Sequence, residues 1–153
     1  MIDLSSDNYF MEQALRQAVK AYEAREVPVG AIIVHQNRII ARAFNQVEIL
    51  QDATAHAEML AITQAEEALK TWRLNECSLY VTKEPCPMCA GAIVHVRLNR
   101  IIFGCADPRG GAAGGFINLL QTENLNHRTT VTGGIREEES RALLQQFFKE
   151  RRS

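Results

Sequence analysis

Residues 82–92 read "TKEPCPMCAGA" and carry two cysteines three positions apart, Cys86 and Cys89, the first set between Pro85 and Pro87. Pro87 suits the first turn of a helix, where a missing N–H costs nothing. "SLYVT" (78–82) leads into the motif as a β-rich run, and "RIIFGC" (100–105) follows it as another. Strand, helix and strand in that order close as a parallel crossover, and parallel strands hold their sites at the carboxyl ends. Both "VTKEPC" and "FGCAD" leave such an end. Beside them runs "DPRGGAAGG" (107–115), whose four glycines in nine residues mark a loop that approaches a ligand or another backbone closely.

Upstream, Ser6 or Asp7 caps a helix reaching about Arg25, with Phe10, Ala14, Ala18 and Ala21 at helical spacing. "VPVGAIIVHQNRIIARAF" (27–44) reads as an antiparallel hairpin turning at Gln36 and Asn37, with both strands expected to be buried on both faces. "TAHAEMLAITQAEEAL" (54–69) predicts a second helix from near Ala55. Downstream, "TTVTG" (129–133) predicts a short fifth strand. "EEESRALLQQFFKERR" (137–152) closes as a helix, acidic at its start and basic at its end as the helix dipole favours. The alternation gives an α/β fold: a three-layer α/β/α sandwich around one mixed five-stranded sheet.

A chain of 153 residues suits one domain, 1–153, that buries roughly two thirds of its unfolded surface without disulfides. A hydrophobic share of 46% and a charged share of 23% exclude disorder, collagen and coiled coil. No apolar run nears the roughly 18 residues of a membrane span, and "MIDLSSDNYF" lacks the regions of a signal peptide, so a cytoplasmic location is expected. In a reducing compartment a Cys-x-x-Cys pair more often binds metal or does chemistry than staples the chain. A net charge of -1 excludes wholesale coating of nucleic acid but leaves room for a local basic patch. "FFKERRS" offers one: Lys149, Arg151 and Arg152 either touch phosphates or form a solvated tail.

Taken alone, Cys86 and Cys89 fit half a metal site, a redox pair or two buried thiols. The flanking prolines, with Met88 between the thiols, depart from the usual redox signature, and redox chemistry leaves "TAHAE" unexplained. That stretch carries His56 and Glu58, and His-x-Glu followed by Pro-Cys-x-x-Cys matches the signature known for zinc deaminases. Two thiolates and a neutral imidazole bring zinc's charge to zero, and three protein ligands leave a fourth position for water. Such water acidifies toward neutral pH, while the helix start after Cys86 favours thiolates. Glu58 is the candidate shuttle, taking the water's proton, passing it to a ring nitrogen and delivering one to departing ammonia. Residues two apart on a regular helix point apart, so His56 and Glu58 converge only at a helix mouth. The rival is a structural zinc that recruits Cys77 or Cys105 and leaves Glu58 idle.

With these residues in place the chain closely resembles the bacterial tRNA-specific adenosine deaminases, within the cytidine deaminase superfamily. The likeness covers nearly the whole chain: "REVPVGAIIV", Phe44–Asn45, "TAHAEML", "TWRL", "LYVT", "EPCPMCAGAI", "FG" ahead of Asp107, "GAAG", "NHR" and "FFKERR". The resemblance implies a cytidine deaminase-like fold, one zinc per chain on His56, Cys86 and Cys89, and Glu58 as proton shuttle. It implies Asn45 hydrogen-bonded to the target base, and Pro28 and Val29 as pocket walls. It also implies a homodimer gripping an anticodon stem-loop, with the target adenosine flipped out and converted to inosine. No membrane partner or organic cofactor is implied.

Three positions depart from the family pattern: Lys83 where an apolar residue, usually Leu, precedes Glu-Pro-Cys, Arg109 where Lys is common, and Gly115 where Ser is common. Lys83 either meets phosphate or points to solvent. Asn126, His127 and Arg128 are read as RNA contacts, as are Arg151 and Arg152, and Asp107 is expected to face the substrate backbone. Trp72 is read as a core residue in preference to a base-stacking one. Glu84, held extended by Pro85, is expected to orient the glycine-rich loop through backbone hydrogen bonds. Two rivals remain: a deaminase of free guanine or cytosine, and a zinc-stapled RNA-binding module without catalysis.

Overall fold

A computed structural model describes residues 6–122 and 127–152, the side chain of Arg152 excepted. Its elements run α1 (Asp7–Glu23), β1 (Gly30–His35), β2 (Arg38–Phe44), α2 (Val47–Leu50), α3 (Ala57–Leu69), β3 (Cys77–Lys83), α4 (Pro87–His95), β4 (Arg100–Cys105), β5 (Thr130–Thr132) and α5 (Glu137–Arg152). The strands form one five-stranded sheet in the order β2-β1-β3-β4-β5. β1 is antiparallel to both β2 and β3, whereas β3, β4 and β5 are parallel. The sheet is therefore mixed, as the motif order predicts.

Strand alternation sorts the core into two layers. Ala31 and Ile33 of β1, Leu79 and Val81 of β3, and Ile101 and Phe103 of β4 face α3 and α4, where they meet Ala57, Ala61, Ile62, Ala90 and Ile93. The intervening Ile32, Val34, Tyr80 and Ile102 face α1 through Phe10, Met11 and Ala14. α5 lies on the α1 side, against β4 and β3. Gly30 allows the close approach of α1, because a Cβ there would collide with the backbone of Ala14 and Ala18.

Two expectations need correction. β2 is an edge strand, and it is not buried on both faces: Ala41 and Ala43 pack under α3 while Arg42 between them is exposed. The second helix starts at Ala57 rather than near Ala55, because His56 is its N-cap and holds an extended backbone. The single turn α2 was not expected at all. Its second and third backbone N–H groups, those of Glu48 and Ile49, donate to the carboxylate of Glu26 at 3.0 and 2.6 Å.

Candidate metal and active site

His56 ends the chain's approach to α3, and Cys86 ends its approach to α4; each is an N-cap with extended backbone. The two helix mouths meet at the carboxyl end of β3. Cys89, in the first turn of α4, turns back to the same point. Cys86 Sγ lies 3.6 Å and Cys89 Sγ 3.5 Å from His56 Nδ1, and the three donor atoms all lie within 4.8 Å of one another. They are the metal-ligand cluster found among the described residues. Because His56 sits outside the helical spiral, the objection to an i, i+2 pair falls away, and Glu58 in the first turn turns toward the same centre.

The electrostatics follow from this convergence. The Cys86 thiol is pulled down to about 3 by hydrogen bonding to Cys89 and to His56. Cys89 is raised, because it supplies the shared proton and is buried close to Glu58. His56 is raised by its contact with Cys86. Burial pushes the Glu58 carboxyl up, against the opposing pull of its own backbone N–H and of His56. Two thiols, an imidazole and a carboxyl thus share protons among themselves, and a cation bound to the thiols and imidazole would displace those protons.

Above the cluster opens a pocket of about 310 Å³, lined by Val27, Val29, Asn45, Val47, Lys83 and Arg151 among others, with His56, Glu58 and Cys86 in its wall. That volume is at the lower bound for a small-molecule site. Asn45 is buried; its Nδ2 donates to Val27 O at 3.3 Å and its Oδ1 has no partner. Since a carbonyl can only accept, the amide orientation is set, and an unused acceptor is left in the pocket wall.

The glycine-rich loop is held from within. Glu84, 3% exposed, accepts from the backbone N–H groups of Asp107, Ala113 and Gly115 at 2.9, 2.9 and 2.7 Å. Gly111 and Gly115 are required there, because a Cβ at either would run into the Glu84 carboxylate. Asp107 reaches the pocket. Its Oδ1 accepts from Arg109 N and Gly110 N at 3.0 and 3.1 Å, and its Oδ2 pairs with Lys83 Nζ at 3.2 Å. Burial raises the Asp107 carboxyl, but those N–H groups and the ammonium outweigh it and hold the group below its ordinary value.

The remaining expected site residues scatter. Val29 lines the pocket, while Pro28 is buried behind it. Arg151 reaches the rim, with its guanidinium 5.4 Å from the Phe147 ring centre. His127 and Arg128 lie at the other end of the sheet, before β5, where His127 Nε2 meets Leu98 O at 2.6 Å. One chain does not bring them to the pocket. Asn126 and the Arg152 side chain lie outside the described residues. Trp72 is a correction: 52% exposed and stacked under Arg73, it is not a core residue.

The structural-zinc rival also fails among the described residues. Cys77 opens β3 at the far end, its thiol pushed up to about 11 by burial, and Cys105 faces Thr82 O at 3.7 Å. Sequence reading missed Glu26, a 1% exposed carboxylate lining the pocket; a buried acid ahead of "VPVG" was the available signal. It also missed Val27, Val47 and the half-exposed Phe148.

A mixed sheet with paired thiols and an imidazole at its carboxyl end fits a deaminase, and the model of the MafB19-like deaminase family matches residues 5–152. The tRNA-specific adenosine deaminase of Bacillus subtilis (strain 168) is 50% identical over 149 residues, covering 97% of this chain and 92% of that protein. A solved structure from studies of A-to-I editing by tRNA:A34 deaminases at the wobble position superposes with a TM-score of 0.86 at 44% identity, covering 89% of this chain and 99% of the other. A guanine deaminase structure from Bacillus subtilis gives a TM-score of 0.63 at 37% identity over 66% of this chain and 65% of its own. The chain belongs to the tRNA-specific adenosine deaminases.

Proposed function

We propose that the chain is a zinc-dependent hydrolytic deaminase that converts adenosine to inosine at the first anticodon position of tRNA. The observation that carries the chemistry is buried Glu58 beside three convergent soft donors in the wall of a base-sized pocket. The 50% identity to a tRNA-specific adenosine deaminase over nearly the whole chain supports the substrate.

The donor set fits zinc. Sulfur and nitrogen on a tetrahedral zinc, with bonds of about 2.3 and 2.0–2.1 Å, stand about 3.5–3.6 Å apart. The two separations here are 3.6 and 3.5 Å. His56, Cys86 and Cys89 would hold the ion, which when bound acidifies water so that a nucleophile is available at neutral pH.

The chain's own residues do the rest. Glu58 takes the proton of the attacking water and passes it to the ring nitrogen beside the amino-bearing carbon. The C–O bond forms in that step; Glu58 then takes the remaining proton of the new hydroxyl and gives it to the amino group, which leaves as ammonia as the C–N bond breaks and the carbonyl forms. Its burial raises its proton affinity, which suits a group that must both accept and return a proton. Asn45 Oδ1 accepts an N–H or O–H of the bound nucleotide, and Val29, backed by Pro28, walls the base. Asp107 and Arg151 meet the ribose and phosphate at the rim, and Arg152 extends that contact.

Asn126, His127 and Arg128 complete the RNA contacts. The described pair lies at the far end of the sheet, so its use on the same stem-loop calls for a second chain and fits a homodimer. Among the described residues no helix is long and apolar enough to cross a membrane. The likeness to tRNA-specific adenosine deaminases supports an enzyme that works on tRNA as a single domain in the cytoplasm. Treatment of bulk unmodified tRNA with purified protein tests the reading: nucleoside mass spectrometry should find inosine at the first anticodon position. Xanthine or uracil released from free bases, with no inosine in tRNA, would move the chain to free-base deamination.

A further inference from the structure

Beside the base pocket lies a second groove of about 310 Å³ between the end of β4 and α5. Lys83, Asp107 and Phe148 line both. Beyond them the groove is lined by the buried Cys105 and Leu144 and edged by Arg141 and Lys149 of α5. Three cations thus surround a space whose one carboxylate, Asp107, is already engaged on both oxygens. Arg141 leans on Glu137 and Glu138 at 3.4 and 3.3 Å and remains 42% exposed. Lys83 contributes most to the junction. It ends β3, its ammonium offers three donors, and the ion pair with Asp107 takes one of them. Its side chain is a third exposed, at the point where pocket and groove join.

We propose that Lys83 marks the start of a phosphate-binding groove along α5, which takes the single-stranded RNA backbone next to the flipped nucleotide. The ammonium contacts the phosphodiester that links the target to its neighbour while keeping its contact with Asp107. The exposed ring of Phe148 offers the neighbouring base a stacking face, worth more to an unpaired base than to a paired one. Lys149 follows further along the strand. The proposal rests on the RNA reading above and deepens it.

The test is stem-loop binding measured across a salt series for wild type, Lys83→Met and Lys83→Arg. Each phosphate contact on a single strand contributes about 0.7 to the slope of log affinity against log salt. Lys83→Met should lower the slope by about that amount and weaken binding several-fold, while Lys83→Arg keeps both. A stem-loop with a neutral methylphosphonate at the linkage beside the target adenosine should bind wild type and Lys83→Met alike. An unchanged slope in Lys83→Met, or a persistent difference on the neutral linkage, overturns the proposal and leaves Lys83 as the partner of Asp107 alone. Wild type that neither binds the stem-loop nor forms inosine in it overturns the RNA reading, and this proposal with it.

Discussion

Two polar clusters border the sheet, and their hydrogen bonds are finished in opposite ways. Under the start of α1, Asp7 accepts from Tyr80 at 2.6 Å and from both ends of the Arg100 guanidinium at 3.0 and 2.6 Å, and Arg100 reaches Thr132 at 3.4 Å. Every charge there has an opposite partner. Arg100 hydrogen bonding pulls the Asp7 carboxyl down, and the desolvated Tyr80 hydroxyl is pushed up and stays protonated. At the carboxyl end of β3, by contrast, Glu58 is buried and raised, Asn45 Oδ1 has no partner, and three soft donors point at one another. A closed network spends its hydrogen bonds on the fold. An open one keeps them for a ligand, and that difference separates a strut from a site.

The contrast breaks most sharply at Glu58. Glu58→Ala should keep its fold and zinc yet lose turnover by about 10⁴-fold or more, at the upper end of acid-base contributions because one carboxylate serves several transfers. Turnover within about threefold of wild type would place the shuttle elsewhere. Cys86→Ala should lose metal and with it activity, and should lower stability because metal binding is coupled to the start of α4; metal analysis reads this directly. Cys77→Ala, at the far end of the sheet, should keep its zinc.

A smaller effect is expected from Glu84, the carboxylate in the pocket wall that braces the glycine-rich loop. Glu84→Ala strands the N–H groups of Asp107, Ala113 and Gly115, and each unmade bond costs about 1–3 kcal/mol. Melting should fall, and hydrogen exchange should quicken at those amides before it does in the strands. Protection unchanged at Ala113 and Gly115 would mean the loop is held by something else.

The smallest effect belongs to the closed cluster. Asp7→Asn should cost about 1 kcal/mol of stability and leave deamination untouched. Its pH sign is fixed by the lowered carboxyl. The stabilisation is complete above the ordinary aspartate value of 3.8 and is lost as pH falls through the folded-state value beneath it. Acid titrations of wild type and Asp7→Asn should therefore converge only below pH 3.8. Convergence near neutrality would contradict the pairing.

What was legible in the sequence follows the range over which each feature is encoded. β4 was readable at residues 100–105 because its apolar run is contiguous, and the converging donors were readable because Cys86 and Cys89 share one turn and His56 sits two residues from Glu58. α2 was not, because its amides are satisfied by Glu26 from 22 residues away rather than by a local cap. The exposed face of β2 escaped for a related reason. Its composition matches that of a central strand, and only sheet order makes it an edge. Trp72 was misjudged on size, since a large aromatic side chain can lie on the surface under an arginine as readily as in the core.

The most direct test is a single reaction holding an anticodon stem-loop and free guanine at equal concentration, with both products followed by mass spectrometry. In the proposed reading Lys83 and Arg151, which line the pocket, bind parts of the RNA remote from the reacting carbon and so position the base. Inosine should accumulate at the first anticodon position while guanine stays intact, and zinc-free protein should form neither product. Xanthine accumulating ahead of inosine would contradict the account.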